Sequence, residues 1–279
     1  WFDEVLRTTG FVNDVNTTFK GGKGKTRYFV SLNYMGGEGL LKQDRLEDVN
    51  YSTQLNYNRA NIRTNLDIEV TKSTLLKFNL AGRISGTNRP GNSTSSALYS
   101  TLYGTPSNAF PIKYADGKWG GSPVHQRNPV ADVNESGFAT SHERTFYADL
   151  TIEQDLSALL EGLSVSGAVS FDNNVAYWDS KTKGYANVYR SAEIDEINGV
   201  LYNHTSTDFG ENTALSFNTS FGGQHRHANG IIKAKYKQQW DKHKLNAMLL
   251  FHADQEVGLG INSTFHRINY AGHFQYAYD

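Results

Sequence analysis

Apolar and polar residues alternate along several long segments of the chain. In residues 62–70 the even-numbered positions hold Ile, Thr, Leu, Ile and Val, whereas the odd-numbered positions hold Arg, Asn, Asp and Glu. A repeat of two separates the two faces of a β-strand, and a helix would not sort residues in this way. The same alternation recurs in residues 76–85, 145–155, 163–172, 229–240 and 245–254. Each segment predicts a strand of about ten residues.

Two all-β architectures accommodate such strands: a soluble sandwich or barrel with an apolar core, and a transmembrane barrel whose apolar face meets lipid. Soluble strands average about 5–6 residues, whereas bilayer-crossing strands need about 9–11. The connections also fall into two classes. Short turns are predicted at 21–25, 72–74, 156–162 and 241–243, and long connections at 36–60, 88–142 and 178–228. This asymmetry is typical of outer-membrane barrels, so the sequence favours an antiparallel transmembrane β-barrel with long extracellular loops.

The predicted crossings number nine. Because short turns must lie on one side of the membrane, residues 213–221 either pair with a segment near 199–208 or form a β extension above the membrane. Nine antiparallel strands leave two unpaired edges, whereas bacterial single-chain barrels are closed and even-numbered. We therefore expect the nine strands to be part of an incomplete barrel.

Composition narrows the function classes. The 27 Lys and Arg residues nearly balance the 28 Asp and Glu residues, so no whole-chain charge attracts nucleic acid, and we expect no nucleic-acid partner. The absence of cysteine excludes disulfides, thiolate zinc sites and cysteine nucleophiles. Aromatic residues make up 13% of the chain, which suits strands.

The most distinctive motifs surround the first predicted hairpin. They are Trp-Phe-Asp-Glu-Val-Leu at 1–6, Gly-Gly at 21–22, the run from Lys25 to Tyr34, and Glu-Gly-Leu-Leu at 38–41. Later strand signatures lie at 61–67 and 240–245. In these residues the chain closely resembles the start of the barrel in SusC/RagA-type TonB-dependent outer-membrane transporters. The similarity extends over most of the chain and is weakest in the long loops.

This resemblance implies a plugged barrel of about 22 strands that imports oligosaccharides or peptides across the cell outer membrane. It also implies a SusD-like surface lipoprotein as a lid, and the TonB complex as a partner that acts through a missing N-terminal part. Residues 1–279 are then expected to be part of the barrel, with the plug domain and the remaining strands absent.

Other function classes remain open. The leading hypothesis is a fragment of a nutrient importer in contact with outer-membrane lipid and a glycan or peptide ligand. The alternative is a soluble or surface-displayed β-rich glycan-binding protein, and a third class is a barrel enzyme such as a lipase or protease. No Gly-x-Ser-x-Gly elbow is present. We therefore predict no enzymatic activity, no catalytic residue and no cofactor.

Three polar groups have simple interpretations. Gly24-Lys25-Thr26 ends like a phosphate-binding loop but precedes a strand, so we interpret it as a hairpin turn in which Gly21 and Gly22 supply the positive φ. His225 and His227 lack an adjacent carboxylate in the sequence, so a solvated loop is preferred to a metal site. Acidic residues in 44–48 (Asp44, Glu47 and Asp48) lack the spacing of a calcium loop, and we expect no metal there.

The long connection between Thr87 and His142 carries the candidate ligand contacts. Its aromatic residues stand among Ser, Thr, Asn and Gly, a mixture that suits the C–H faces and hydroxyls of a sugar as well as an extended peptide. The candidates are Trp119, Tyr114, Phe110, Tyr103 and Tyr99. Trp119 is the first choice, because the nearby glycines are expected to leave the indole uncovered. The alternative is that these side chains form an interfacial girdle or pack a loop core.

The alternation also assigns the two faces of the sheet. The residues expected to face lipid are Leu66, Phe78, Leu80, Leu150, Val169, Phe171 and Leu249. The residues expected to face the lumen, or to form salt bridges with a plug, are Arg63, Asp67, Glu69, Arg83, Asp149, Glu153, Lys233 and Lys235.

Overall fold

Nine long strands form one antiparallel sheet in which each strand pairs with its neighbours in chain order. The computed structural model describes residues 1–43, 51–91, 94–194, 201–258 and 261–278. The strands are β1 (Val12–Lys23), β2 (Thr26–Glu38), β3 (Asn56–Glu69), β4 (Thr74–Pro90), β5 (Trp119–Gly120), β6 (Gly137–Asp155), β7 (Leu163–Thr182), β8 (Asn187–Ile194), β9 (Leu201–Phe209), β10 (Ser216–Trp240), β11 (His243–Val257) and β12 (Thr264–Tyr278). The nine-stranded sheet has the order β1-β2-β3-β4-β6-β7-β10-β11-β12, so the predicted count of nine crossings is confirmed.

The register places the predicted lipid-facing residues on one face. Leu66 lies opposite Phe78, Phe78 opposite Leu150, and Leu150 opposite Val169. Directly opposed residues of an antiparallel pair project to the same side, so these four side chains form a continuous row. Val169 and Leu249 are 57% and 70% exposed. No described part of the chain covers this apolar face, which is what a lipid-facing surface requires.

Short turns join the strands at one end of the sheet. In the first of them the positive φ lies at Gly24 (φ 60°), whereas Gly21 and Gly22 lie inside β1, so the expectation that these two glycines form the turn is wrong. Gly21 is needed for another reason. A Cβ atom there would lie 2.8 Å from the Tyr28 hydroxyl oxygen on the neighbouring strand, so the aromatic ring occupies the space of a side chain.

Several strands extend beyond the segments that the alternation predicted. β10 begins at Ser216 and pairs with the outer end of β7, with a bulge between Phe221 and Gly223. Of residues 213–221, those from Ser216 onward therefore form a β extension of the main sheet, which is the second of the two predicted possibilities. β9, in contrast, pairs with β8 in a separate three-stranded sheet that also includes β5.

The long connections fold into a compact layer at the other end of the sheet, here called the outer layer. It contains the three-stranded sheet and the helices α1 (Phe2–Val5), α2 (Ser95–Gly104) and α3 (Pro129–Glu135), and a 3₁₀ turn, Ile261–Ser263, precedes β12. Its buried apolar residues are Val5, Leu41, Leu98, Leu102, Trp119, Val130, Ala131 and Val133. Among the described helices none is long and apolar enough to span a membrane.

Candidate functional site

The outer layer encloses a cavity of about 730 Å³. One wall comes from the β5 region and the end of α3, and the other from the segments that flank β8 and β9. The charged and amide side chains that line it are Asp116, Lys118, Glu135, Lys183, Asn187, Asp208, Glu211 and Asn212. These residues come from segments far apart in the sequence, so the sequence alone gave no sign that they converge.

Most of the charged groups in the cavity are already paired. Lys183 Nζ lies 2.7 Å from Glu135 Oε2, and Lys118 Nζ lies 3.8 Å from Asp208 Oδ1. Asp116 accepts a hydrogen bond from Arg190, and this bond lowers the pKa of the Asp116 carboxyl. Within the described residues, the exposed Glu211 carboxylate has neither an ion pair nor a hydrogen bond. It is therefore available to a cationic group that enters the cavity.

The predicted first choice for ligand contact, Trp119, is packed rather than uncovered. Its side chain is 8% exposed, and Lys113 Nζ lies 3.9 Å from the ring centroid. The flanking glycines explain the difference. A Cβ atom at Gly120 would lie 1.9 Å from the Pro111 carbonyl oxygen, and one at Gly121 would lie 3.0 Å from Asn187 Cβ. The glycines thus bring neighbouring chain segments onto the indole, which reaches the cavity only as part of its wall.

The other four candidate aromatics divide into packed and accessible groups. Phe110 is 8% exposed and lies against the Trp1 ring at 5.2 Å between centroids, and Tyr99 packs against the core of the outer layer. Tyr114 is half-buried beneath the Arg190 guanidinium, which lies 4.7 Å from its ring centroid. Tyr103 is 77% exposed, with an edge contact to Phe2. The structure does not bring the five together into one aromatic surface.

A buried polar network holds the cavity wall in place. The Asn128 side-chain oxygen caps α3 by accepting hydrogen bonds from the backbone N–H groups of Val130 and Ala131, and its amide nitrogen donates to the carbonyl oxygens of Ile112 and Gly120. One side chain therefore joins α3 to β5. The sequence carried a signal for this helix, because Asn followed by Pro fits the N-cap and first helical positions.

Asp132 forms the second part of this network. It is 1% exposed, accepts a hydrogen bond from the Tyr185 hydroxyl, and lies 2.8 Å from Arg127 Nη2. Burial raises the pKa of Asp132, and the bonds from Tyr185 and Arg127 offset only part of this effect. Burial likewise raises the pKa of Tyr185. Because Tyr185 precedes Ala186 and Asn187, the network fixes the segment that forms the opposite wall of the cavity.

The two histidines at 225 and 227 lie inside β10, not in a loop. His227 Nδ1 lies 3.6 Å from Asp172 Oδ2 of β7, and His227 Nε2 lies 3.6 Å from Asp254 Oδ2 of β11. His225 Nε2 lies 3.0 Å from Glu256 Oε1. The expectation that no carboxylate is adjacent is therefore wrong, since strand pairing supplies carboxylates from neighbouring strands. Even so, no group of three or more His, Asp or Glu side chains in the described residues could hold a metal ion. The acidic residues at 44–48 lie outside those residues.

Lumen-facing charges pair across the sheet. Lys77 Nζ lies 2.8 Å from Glu153 Oε1, and Arg27 Nη2 lies 3.7 Å from Asp67 Oδ2. Since these side chains share the face opposite the apolar one, the predicted separation into a polar and an apolar face extends across the sheet.

The chain resembles receptors in both sequence and fold. No protein-family model matches it. It is 24% identical over 230 residues to the TonB-dependent receptor P3 of Formosa agariphila, a match that covers 80% of this chain and 21% of that receptor. The solved RagAB peptide importer in its open-open state matches with a TM-score of 0.60, and the RagAB peptide transporter with 0.59. Each match has 14% identity and covers 100% of this chain and 31% of the solved chain.

These matches agree with the resemblance found in the first hairpin and with the predicted antiparallel barrel strands. The expected location in the outer membrane is also confirmed by the TonB-dependent receptors among the relatives. The chain spans about a fifth of the length of the curated receptor it matches. In sequence the chain is thus similar to a TonB-dependent receptor, and in fold its nine-stranded sheet matches part of the RagAB transporter, as the resemblance to SusC/RagA-type receptors led us to expect.

Proposed function

We propose that the chain forms part of the wall and outer layer of a TonB-dependent importer, and that the importer takes up peptides. Peptide is preferred as the substrate because of the cavity in the outer layer. Four carboxylates line this cavity, and one of them, Glu211, is unpaired within the described residues. A peptide offers an α-amino group or basic side chains to such carboxylates and backbone N–H and C=O groups to the amides around them. The name of the RagAB peptide importer supports the same substrate class.

An oligosaccharide is the weaker candidate. Sugar rings stack on accessible aromatic faces, whereas Trp119, Phe110 and Tyr99 are packed into the core of the outer layer. Tyr103 is the exposed aromatic of the five and Tyr114 is partly covered. We therefore propose that Tyr103 and Tyr114 contact the ligand or the lid, that Trp119 contributes an edge to the cavity, and that Phe110 and Tyr99 support the wall.

A soluble glycan-binding protein is disfavoured by the exposed apolar face. Large side chains such as Ile232, Val169 and Leu249 are more than half exposed across neighbouring strands. A continuous apolar surface of this kind marks contact with a membrane or a partner.

The importer is proposed to act with two partners. A SusD-like surface lipoprotein would close over the outer layer, where Tyr103 is exposed. The TonB complex would supply energy through parts of the receptor other than these nine strands.

The experiment compares peptide and oligosaccharide binding by the full-length receptor with and without Glu211→Gln. Basic peptides are expected to bind about tenfold more weakly to the variant, because a charge-assisted contact is lost. A neutral oligosaccharide should show no change. Glu161→Gln is the matched control, since Glu161 is exposed in the short turn between β6 and β7 at the opposite end of the sheet. Binding of oligosaccharides alone by the wild-type receptor would reject the proposal.

A further inference from the structure

The membrane-facing side of the sheet contains an apolar groove of about 610 Å³ across β1 to β7. Ala60 and Gly82 form its floor, because they carry little or no side chain between larger neighbours. The walls come from Leu32, Tyr34, Ile62, Ile84 and Phe146. Gly82 keeps the floor low, since a Cβ atom there would already lie 3.3 Å from Ile62 Cγ2.

The register shows that the groove lies on the lipid-facing side. One row of opposed residues runs from Tyr34 through Ala60 and Ile84 to Arg144. The next row runs from Leu32 through Ile62, Gly82, Phe146 and Asn173 to Arg226. Since opposed residues share a face, both rows belong to the same surface as Phe171 and Val169. Each of the two rows therefore reaches an arginine.

Arg144 and Arg226 have no counter-charge among the residues that the structure describes. Both side chains are exposed, and neither forms an ion pair or hydrogen bond with any residue in the described part of the chain. No Asp or Glu lies in either row on this face. Closer to the outer end of β6, by contrast, a carboxylate does accompany a basic side chain: His142 Nε2 lies 3.5 Å from Asp179 Oδ2. In the described part of the chain, Arg144 is thus an unneutralised cation that lines the groove, and Arg226 is a second one on the neighbouring strand, opposite the lining residue Asn173.

The distances suit one shared anion. Arg144 and Arg226 lie on β6 and β10, which are separated by β7, and they are offset by two residues along the strands, so their α-carbons are about 12 Å apart. Long guanidinium side chains can converge over this separation. Between them lies Asn173, whose side-chain oxygen accepts a hydrogen bond from Gln224 at 3.0 Å. Guanidinium groups bind phosphate through paired N–H donors, which makes a phosphate the best match for this pair.

We propose that this groove is a binding site for a phosphate-bearing lipid of the outer leaflet. The phosphate lies between Arg144 and Arg226, and an acyl chain lies in the groove over Ala60 and Gly82. The occupant follows from charge complementarity and from the continuity of the groove with the lipid-facing surface. The arginines lie toward the long connections, which face the exterior in outer-membrane barrels, and this selects the outer leaflet.

The test measures lipid retained by the purified full-length receptor, using phosphatidylglycerol as the probe and phosphatidylcholine with the same acyl chains as the zwitterionic comparison. Native mass spectrometry counts the bound molecules. The wild-type receptor should retain phosphatidylglycerol preferentially. Arg144→Gln and Arg226→Gln should each reduce that retention about fivefold. Arg63→Gln, which removes an exposed charge from the opposite face, should have no effect.

A second variant tests the acyl part of the site. Ala60→Leu fills the groove while leaving both arginines in place, and it should also reduce retention of phosphatidylglycerol. The proposal is overturned if the wild-type receptor shows no preference for phosphatidylglycerol, or if the arginine variants retain it as well as wild type. Displacement of the lipid by an equal concentration of soluble glycerol phosphate would likewise overturn it, because the groove would then contribute nothing. Occupation of this surface by a polypeptide would do the same.

Discussion

The α-carbon of Gly120 approaches the carbonyl oxygen of Pro111 so closely that a Cβ atom at Gly120 would lie 1.9 Å from that oxygen. This contact folds the segment before β5 against the strand itself and covers the Trp119 indole. It also places the Gly120 carbonyl where the Asn128 amide donates to it at 3.0 Å. The approach of two backbone segments therefore shapes the wall of the cavity.

The first prediction concerns this contact. Gly120→Ala should lower the free energy of local opening around β5 by about 1–3 kcal/mol, because the backbone must move apart to accommodate the methyl group. Amide hydrogen exchange of residues 111–121 in the full-length receptor measures the change. Gly104→Ala is the control, since a Cβ atom at Gly104 meets nothing within 4 Å. Equal exchange in both variants would show that the close approach has no energetic importance.

The second prediction concerns the two faces of the sheet. Val169→Arg should destabilise the full-length receptor in lipid by about 2–4 kcal/mol if the position is near the bilayer centre, because a charge enters hydrocarbon. Ser170→Arg, one residue along the same strand, should cost less because its side chain points to the polar face. Folding titrations in lipid vesicles provide the measurement. Similar costs at 169 and 170 would contradict the face assignment.

The third prediction separates packing from ligand contact among the aromatics. Trp119→Ala should destabilise the outer layer by about 3–5 kcal/mol, since a buried aromatic side chain is removed. Tyr103→Ala should leave the stability of the layer nearly unchanged and weaken ligand or lid binding by about 1–3 kcal/mol, a range taken from aromatic stacking on bases. Protease sensitivity and binding titrations measure the two effects. Unchanged binding for Tyr103→Ala would remove it from the proposed contacts.

The fourth prediction concerns the buried Asp132. Because burial raises its pKa in the folded state, the folded layer binds this proton more readily than the unfolded chain does. The contribution of Asp132 to stability is therefore greatest below the usual aspartate pKa of about 3.9, and it is lost as the pH rises from there through the raised folded value.

Asp132→Asn should remove this pH dependence. Amide exchange of residues 127–136, corrected for the intrinsic rate at each pH, measures it in the full-length receptor. Glu161→Gln should retain the wild-type profile, since Glu161 lies at the other end of the sheet. If Asp132→Asn keeps the wild-type pH dependence of amide exchange, another titratable group is responsible for that dependence.

The extent to which the sequence predicts the structure differs between the sheet and the outer layer. The alternation in residues 62–70 is set by the two environments on either side of a strand, so it identifies β3 directly. It ends where both faces become polar, and for this reason the outer end of β7 was not predicted, whereas residues 213–221 before the inner part of β10 were recognised as a possible β extension. The cavity depends on contacts between segments such as 116–119 and 208–213, and no local pattern encodes such contacts.

The prediction that the Trp119 indole is uncovered was wrong, and the reason is physical. Glycine permits both an open turn and a close approach of two backbones, and only tertiary contacts decide between them. Gly120 and Gly121 serve the second purpose, as their neighbours Pro111 and Asn187 show.

The sequential order of the nine-stranded sheet has a consequence for how it assembles. Each strand is hydrogen-bonded to the strand that precedes it in the main sheet, so growth can proceed one strand at a time without crossing connections. The outer layer interrupts this order between β4 and β6 and again between β7 and β10. The entropic cost of closing a loop rises only slowly with its length, by about 0.6 kcal/mol for each doubling. These large insertions therefore add little to the barrier for insertion into the bilayer, and the strands can join the sheet before the layer above them has folded.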